Sequence, residues 1–134
     1  MQPIRVLLVD DSEEFLDSAI DFLSRDPRVK VVGRALNGPD GIRLASDLKP
    51  DLVLMDLVMP VMNGLAATRC IKAWPGAPRV VIVTIHDNAE YRRSAQEASA
   101  DGFICKSQFA SEVTALVDAF CDAPGPLAQA GGTQ

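Results

Sequence analysis

Short apolar runs alternate with amphipathic stretches along the chain. The runs are Ile4 to Val9, Val29 to Ala35, Leu52 to Met55, Val80 to Val83 and Gly102 to Cys105. The first, third and fourth are nearly continuous in Val, Ile and Leu with little period-two alternation. That is the pattern of strands covered on both faces, as in a parallel sheet. The intervening stretches repeat apolar residues at helical spacing: Phe15, Leu16, Ala19, Ile20 and Leu23; then Ile42, Ala45 and Leu48; then Leu65, Thr68, Ile71 and Lys72; then Tyr91, Ala95 and Ala98; and finally Val113, Leu116, Val117 and Phe120. The third of these stripes is the weakest.

Punctuation agrees with this division. Ser12 stands where a first-helix N-cap belongs, Asn37-Gly38-Pro39 breaks before the second helix, and Lys49-Pro50-Asp51 ends it. Pro75-Gly76-Ala77-Pro78 closes the third. Five β-α units predict an α/β fold, a flavodoxin-like (βα)5 doubly wound sandwich on a parallel five-stranded sheet of order 2-1-3-4-5. Right-handed crossovers are expected between its strands.

Composition narrows the partners rather than the fold. The chain has 134 residues, 48% of them hydrophobic and 23% charged, enough for one buried core and too apolar for general disorder. The net charge of −5 disfavours direct binding of DNA or RNA, which normally needs a basic surface. No apolar run reaches the roughly 18 residues of a membrane span, and the first residues lack the layout of a signal peptide. Cys70, Cys105 and Cys121 are odd in number and widely spaced, which fits neither a zinc site nor a disulfide framework and points to a reducing cytoplasm. Residues 1–122 are expected to form the folded domain. Residues 123–134, rich in Pro, Gly and Ala, read as a flexible tail or the start of an interdomain linker.

Ligands of open α/β sheets bind beyond the carboxyl ends of the strands, where strand order reverses. The first strand delivers Asp10 and Asp11 there, the third Asp56, the fourth Thr84 and the fifth Lys106. In the order 2-1-3-4-5 the three carboxylates converge, and their mutual repulsion calls for a raised pKa or a bound cation. Oxygen ligands at a site mouth suit Mg²⁺ shared with a phosphoryl group. Lys106 would add a second positive charge, the Thr84 hydroxyl a hydrogen bond, and one carboxylate the nucleophile. Singly, each residue has an ordinary explanation: a helix cap at Asp10-Asp11-Ser12, a turn aspartate, a strand threonine, a surface lysine. All of them meeting by chance on one sheet edge is a much weaker account.

These residues, Val9-Asp10-Asp11, Met55-Asp56-Leu57-Val58-Met59-Pro60 with Gly64 four positions on, Thr84, and Phe103-Ile104-Cys105-Lys106, resemble the receiver domain of two-component response regulators over residues 4 to 121. The resemblance implies that Asp56 is the phosphoacceptor for a sensor histidine kinase. Asp11, Asp56 and the backbone carbonyl of Val58 would ligate Mg²⁺, with Asp10 acting through the metal's water shell. Lys106 would pair with the phosphoryl oxygens, Thr84 would shift toward them, and Phe103 would turn inward. The face made by the fourth helix, fifth strand and fifth helix would repack as a result.

Ser107 after the lysine, together with Thr84-Ile85-His86-Asp87, is most similar to the NarL/FixJ class, whose full-length members add a LuxR-type helix-turn-helix. DNA would then be reached only through an output domain outside this chain, the alternative being a stand-alone receiver acting by protein–protein contacts. The resemblance also implies a cis Lys106–Ser107 bond. Val58 and His86 at the pocket edge are expected to tune hydrolysis of the phosphoryl group, and the bulk of Ile85 stands where donor access would be narrowed. A phosphorylation-dependent homodimer could pair Arg92 and Arg93 of the fourth helix with Glu112 and Asp118 of the fifth. Such a chain catalyses only its own phosphorylation and dephosphorylation, so it is expected to be a switch and not a turnover enzyme.

Two other classes compete. A small Mg²⁺-dependent phosphatase would want an acid/base carboxylate two residues beyond Asp56, where Val58 stands. A flavodoxin-like cofactor binder would want phosphate-binding amides after the first strand, where Asp10-Asp11-Ser12-Glu13-Glu14 repels anions.

Overall fold

The computed structural model describes residues 2–122; the expected tail, 123–134, lies outside them. Five strands, β1 (Ile4–Val9), β2 (Val29–Ala35), β3 (Leu52–Asp56), β4 (Arg79–Thr84) and β5 (Gly102–Cys105), alternate with five helices. These are α1 (Glu13–Ser24), α2 (Gly38–Leu48), α3 (Gly64–Lys72), α4 (Ala89–Glu97) and α5 (Phe109–Asp122). All strand pairs are parallel and the order is β2-β1-β3-β4-β5. The flavodoxin-like (βα)5 sandwich expected from the pattern is the fold observed.

Because successive strand residues point to opposite faces, one sheet feeds two cores. Ile4, Val6 and Leu8 join Leu54, Val81, Val83 and Ile104 under α1 and α5. Leu7 and Val9 join Val53, Met55, Val80 and Ile82 under α2, α3 and α4. Both faces of β1, β3 and β4 are therefore dry, which explains why their sequences lack alternation. Each helix that follows a strand directly is opened by a side chain: Ser12 accepts from Phe15 N, Asn37 from Asp40 N, Asn63 from Ala66 N and Asn88 from Tyr91 N. Lys49 leaves α2 in the left-handed conformation, φ 49°, immediately before Pro50.

The weak third stripe is rotated relative to expectation. The buried face of α3 is Gly64, Ala67, Thr68 and Ile71, whereas Leu65 is half-buried and Lys72 turns out to hold Asp101 at 2.8 Å. Small residues face inward because α3 starts hard against the end of β3. Gly64 N donates to Leu57 O at 2.8 Å, and a Cβ on Gly64 would collide with the Asp56 carbonyl oxygen and lie 2.9 Å from its carbon. The expected cis Lys106–Ser107 bond is not found. Every described peptide bond is trans, and Lys106–Gln108 form a 3₁₀ turn that leads into α5. A cis bond without proline costs roughly 3–4 kcal/mol, and the turn reaches α5 without it.

Gly64→Ala is expected to destabilise the fold by about 2–3 kcal/mol, because the obstacle is backbone and cannot swing away. Gly76→Ala, at φ 65° with no atom within 4 Å, should lose only about 1 kcal/mol. Urea midpoints of the two variants check the difference.

Candidate functional site

Parallel pairing of β1 with β3 sets Val9 opposite Met55, so the residues that leave the two strands stand side by side. One carboxylate oxygen from each of Asp10, Asp11 and Asp56 can be chosen so that all lie within 4.8 Å of one another. Asp10 and Asp56 are buried and Asp11 is exposed, so the cluster opens to solvent on one side. Thr84, at the end of β4, is fully buried next door. Lys106 follows β5 and extends back across the sheet edge, its Nζ 2.7 Å from Asp10 Oδ2 and 3.8 Å from Asp56 Oδ1. The acidic crevice read from the strand ends is thus assembled with all its members.

Local bonds fix the carboxylates. Asp10 Oδ1 accepts from Ser12 N at 2.9 Å, and Ser12 in turn caps α1, so the acidic turn and the helix start are one unit. Asp56 Oδ1 accepts from Leu57 N at 2.9 Å. Asp10 Oδ2 is buried and has no aligned hydrogen bond, although Lys106 touches it as a charge. A buried oxygen left this way is suited to a cation. The donors are all oxygen, the set that hard divalent ions such as Mg²⁺ prefer, so the residues present fit such an ion.

Electrostatics distinguish Asp56 from its neighbours. Its carboxyl is pushed up to about 7, first by burial and then by the charge of Asp10, with Asp11 adding to the rise. Lys106 and the Leu57 amide pull against these effects without overcoming them. A positive charge added among the carboxylates favours the ionised, nucleophilic form of Asp56, so cation binding and proton release are linked.

The remaining expected residues occupy the rim. Thr84 Oγ1 accepts from His86 N at 3.1 Å, which leaves its own proton free to be donated. The His86 side chain is exposed and its ring lies 5.5 Å from that of Tyr91. Val58 is half exposed, and Ile85 is 71% exposed at the mouth. Phe103 is half-buried beside α4 with the Arg92 guanidinium 4.6 Å above its ring. Three of the four charges expected to pair between two copies are engaged within the chain: Arg92 with Asp87 at 2.7 Å, Asp118 with Arg28 at 2.7 Å, and Glu112 with Cys105 N at 3.1 Å.

Sequence reading missed Phe15 as a pocket residue. Its place in the apolar stripe of the first helix marks it as core, yet its ring lies 4.3 Å from Lys106 Nζ. Its position four residues after Asp11, in the first turn opened by the Ser12 cap, is the available signal.

Folding raises the Asp56 value above its ordinary 3.8. The native state therefore binds a proton that the unfolded chain releases between about pH 4 and 7, and stability falls across that window. Asp56→Asn removes the forced ionisation. It is expected to raise stability at pH 8 by on the order of 2 kcal/mol, with the gain shrinking toward pH 4. Urea unfolding of both proteins across that range, without added metal, checks it; a gain independent of pH would count against the assignment.

Comparison with known proteins agrees with the geometry. The family model described as "Response regulator receiver domain" matches residues 6–118. The transcriptional regulatory protein LiaR of Bacillus subtilis is 38% identical over 118 residues, 87% of this chain and 55% of LiaR. The nitrate/nitrite response regulator NarL of Escherichia coli K12 is 36% identical over 105 residues, 78% of this chain and 49% of NarL. The chain thus spans about half the length of these relatives. Among solved structures, a LuxR-family two-component response regulator from Aurantimonas superposes with a TM-score of 0.83 at 34% identity, covering 89% of this chain and 85% of that one. With the strand order, the converged strand ends and these matches together, the chain belongs to the receiver domains of two-component response regulators, in the company of NarL and LuxR-type members.

Proposed function

We propose that Asp56 accepts a phosphoryl group from a phosphohistidine of a sensor histidine kinase, and that this chain is the resulting switch. The observation that carries the reading is the meeting of a buried aspartate of raised pKa with two further carboxylates and one lysine. A carboxylate oxygen of Asp56 attacks phosphorus, the bond from phosphorus to the donor nitrogen breaks, and its electron pair stays with the imidazole. Asp11, Asp56 and the Val58 carbonyl, with Asp10 through water, would hold Mg²⁺. When bound, that ion neutralises charge on the carboxylates and on the transferring oxygens. Lys106 Nζ, already 3.8 Å from Asp56 Oδ1, meets a phosphoryl oxygen with a second positive charge. Thr84 donates its hydroxyl proton to another.

That new bond alters the environment of the His86 amide, which Thr84 Oγ1 holds, and so reaches the loop before α4. Phe103 turns inward as Thr84 shifts, and α4, β5 and α5 repack around it. The receiver is residues 1–122, and control of transcription, the role printed for LiaR, would act through an output outside those residues. Among the described residues no helix is long and apolar enough to cross a membrane; a cytoplasmic place is part of the kinase reading itself. The chain alone is a switch and turns over nothing but its own phosphoryl group. A homodimer of the phosphorylated form requires that pairs such as Arg92–Asp87 and Arg28–Asp118 be exchanged or left at the margin of the contact.

Incubation with acetyl phosphate and Mg²⁺ is expected to add a phosphoryl group of roughly 80 Da to the intact protein, and to add none to Asp56→Asn or without Mg²⁺. An adduct that persists in Asp56→Asn overturns the choice of acceptor.

The pocket rim sets how long the phosphoryl group survives. Val58 offers no polar side-chain atom to an attacking water, whereas His86 does. Val58→Asn is expected to accelerate dephosphorylation several-fold, and His86→Ala to slow it, as followed by loss of the mass adduct after donor removal. Unchanged rates in both variants would remove the rim from the account.

A further inference from the structure

We infer that Phe15 is the residue that positions Lys106, holding its ammonium on the face of an aromatic ring. The inference rests on the phosphoacceptor reading given above. Lys106 carries a flexible four-carbon stem ending in a compact charge, so something must define where that charge stands. Three groups surround it: Asp10 Oδ2 at 2.7 Å, Asp56 Oδ1 at 3.8 Å and the Phe15 ring centroid at 4.3 Å. The two carboxylates belong to the acidic cluster, and their charge is what a divalent cation or a phosphoryl group engages. The ring is different. It has no proton to gain or lose, it cannot join a metal's ligand set, and the negative face of its quadrupole attracts an ammonium whatever the state of the pocket.

The ring is itself held firmly. Phe15 N donates to the capping Ser12 Oγ at 3.2 Å, so its backbone is pinned to the same turn that orients Asp10. Its ring meets that of Phe109 edge-on, with centroids 5.3 Å apart and planes at 82°. Phe109 is the first residue of α5 and is buried against Phe22 as well, with centroids 6.2 Å apart. Lys106 and Phe109 are joined by only the 3₁₀ turn, so the lysine and the support beneath its ring share one short piece of backbone. Phe15 therefore gives Lys106 a partner that survives when the carboxylates are engaged, and aims the charge at Asp56.

The contact has a signature independent of phosphorylation. In the metal-free wild-type protein the ε-methylene protons of Lys106, next to the ammonium over the ring, should resonate upfield of the other lysines through the ring current. Phe15→Leu should abolish that displacement and Phe15→Tyr should retain it. Phe22→Leu serves as the control, because it removes a neighbouring Phe109 contact and leaves Lys106 untouched. With acetyl phosphate at saturating Mg²⁺, Phe15→Leu should slow adduct formation roughly three- to tenfold, the range a desolvated cation–π contact supports. Phe15→Tyr and Phe22→Leu should stay within about twofold of wild type on the same scale. A Lys106 methylene without upfield displacement in the wild type, or a Phe15→Leu rate equal to wild type, overturns the inference and leaves the acceptor reading intact. Failure of the wild-type protein to form any adduct overturns the acceptor reading first, and the inference with it.

Discussion

Three carboxylates brought to one sheet edge cannot all remain ionised unless positive charge stands among them, and this requirement organises the rest of the domain. Within the described residues the chain supplies Lys106, whose ammonium reaches Asp10 and Asp56 from the far side of β4. Burial of Asp56 and then the charge of Asp10 outweigh that single lysine, so Asp56 remains difficult to ionise at neutral pH. The site is thus prepared for further positive charge, and stability is given up at one residue to keep it so. A receiver whose acidic residues were fully paired internally would be more stable and chemically inert.

The surroundings serve the same arrangement. The α3 helix begins so close to β3 that only glycine fits at position 64, which keeps the Asp56 backbone from drifting outward. The acidic turn after β1 is tied to the α1 cap through Ser12, so Asp10 cannot relax away from its neighbours without fraying the helix. Val61 stands in the left-handed region at φ 72° and is almost wholly exposed, an unfavourable backbone state for a branched residue in the loop that borders the pocket. On the opposite edge of the sheet Asp101 accepts from Val80 N and Lys72 Nζ, both at 2.8 Å, anchoring β4 and α3 away from the chemistry.

Two contacts lead out of the pocket toward different helices. Thr84 is bonded to the His86 amide, and the loop it governs precedes α4, whose Arg92 covers Phe103. Lys106 rests on Phe15, and that ring leans on the start of α5. In the proposed switch a phosphoryl group engages both Thr84 and Lys106, so one local charge would bear on the α4 side and on the α1–α5 side of the same sheet. The surface ion pairs of Arg92 and Asp118 lie on these two sides, where exposed pairs contribute little and exchange readily.

Periodicity alone was enough for the strands, their parallel pairing and the two-sided core, because burial on both faces leaves continuous runs of Val, Ile and Leu. It was also enough for the converging strand ends, since strand order dictates which termini are neighbours. It was not enough for α3, where a close backbone approach turned Gly64 and Ala67 inward and left Leu65 at the margin. Nor could it foresee the trans bond at Lys106–Ser107, the internal pairing of the charges on α4 and α5, or the second task of Phe15. A hydrophobic pattern records which face of an element is buried, a property of each segment by itself. Which side chain lies against a particular lysine, and which charge finds a partner at home, depends on distances between segments far apart in the chain, and those exist only once the sheet has closed.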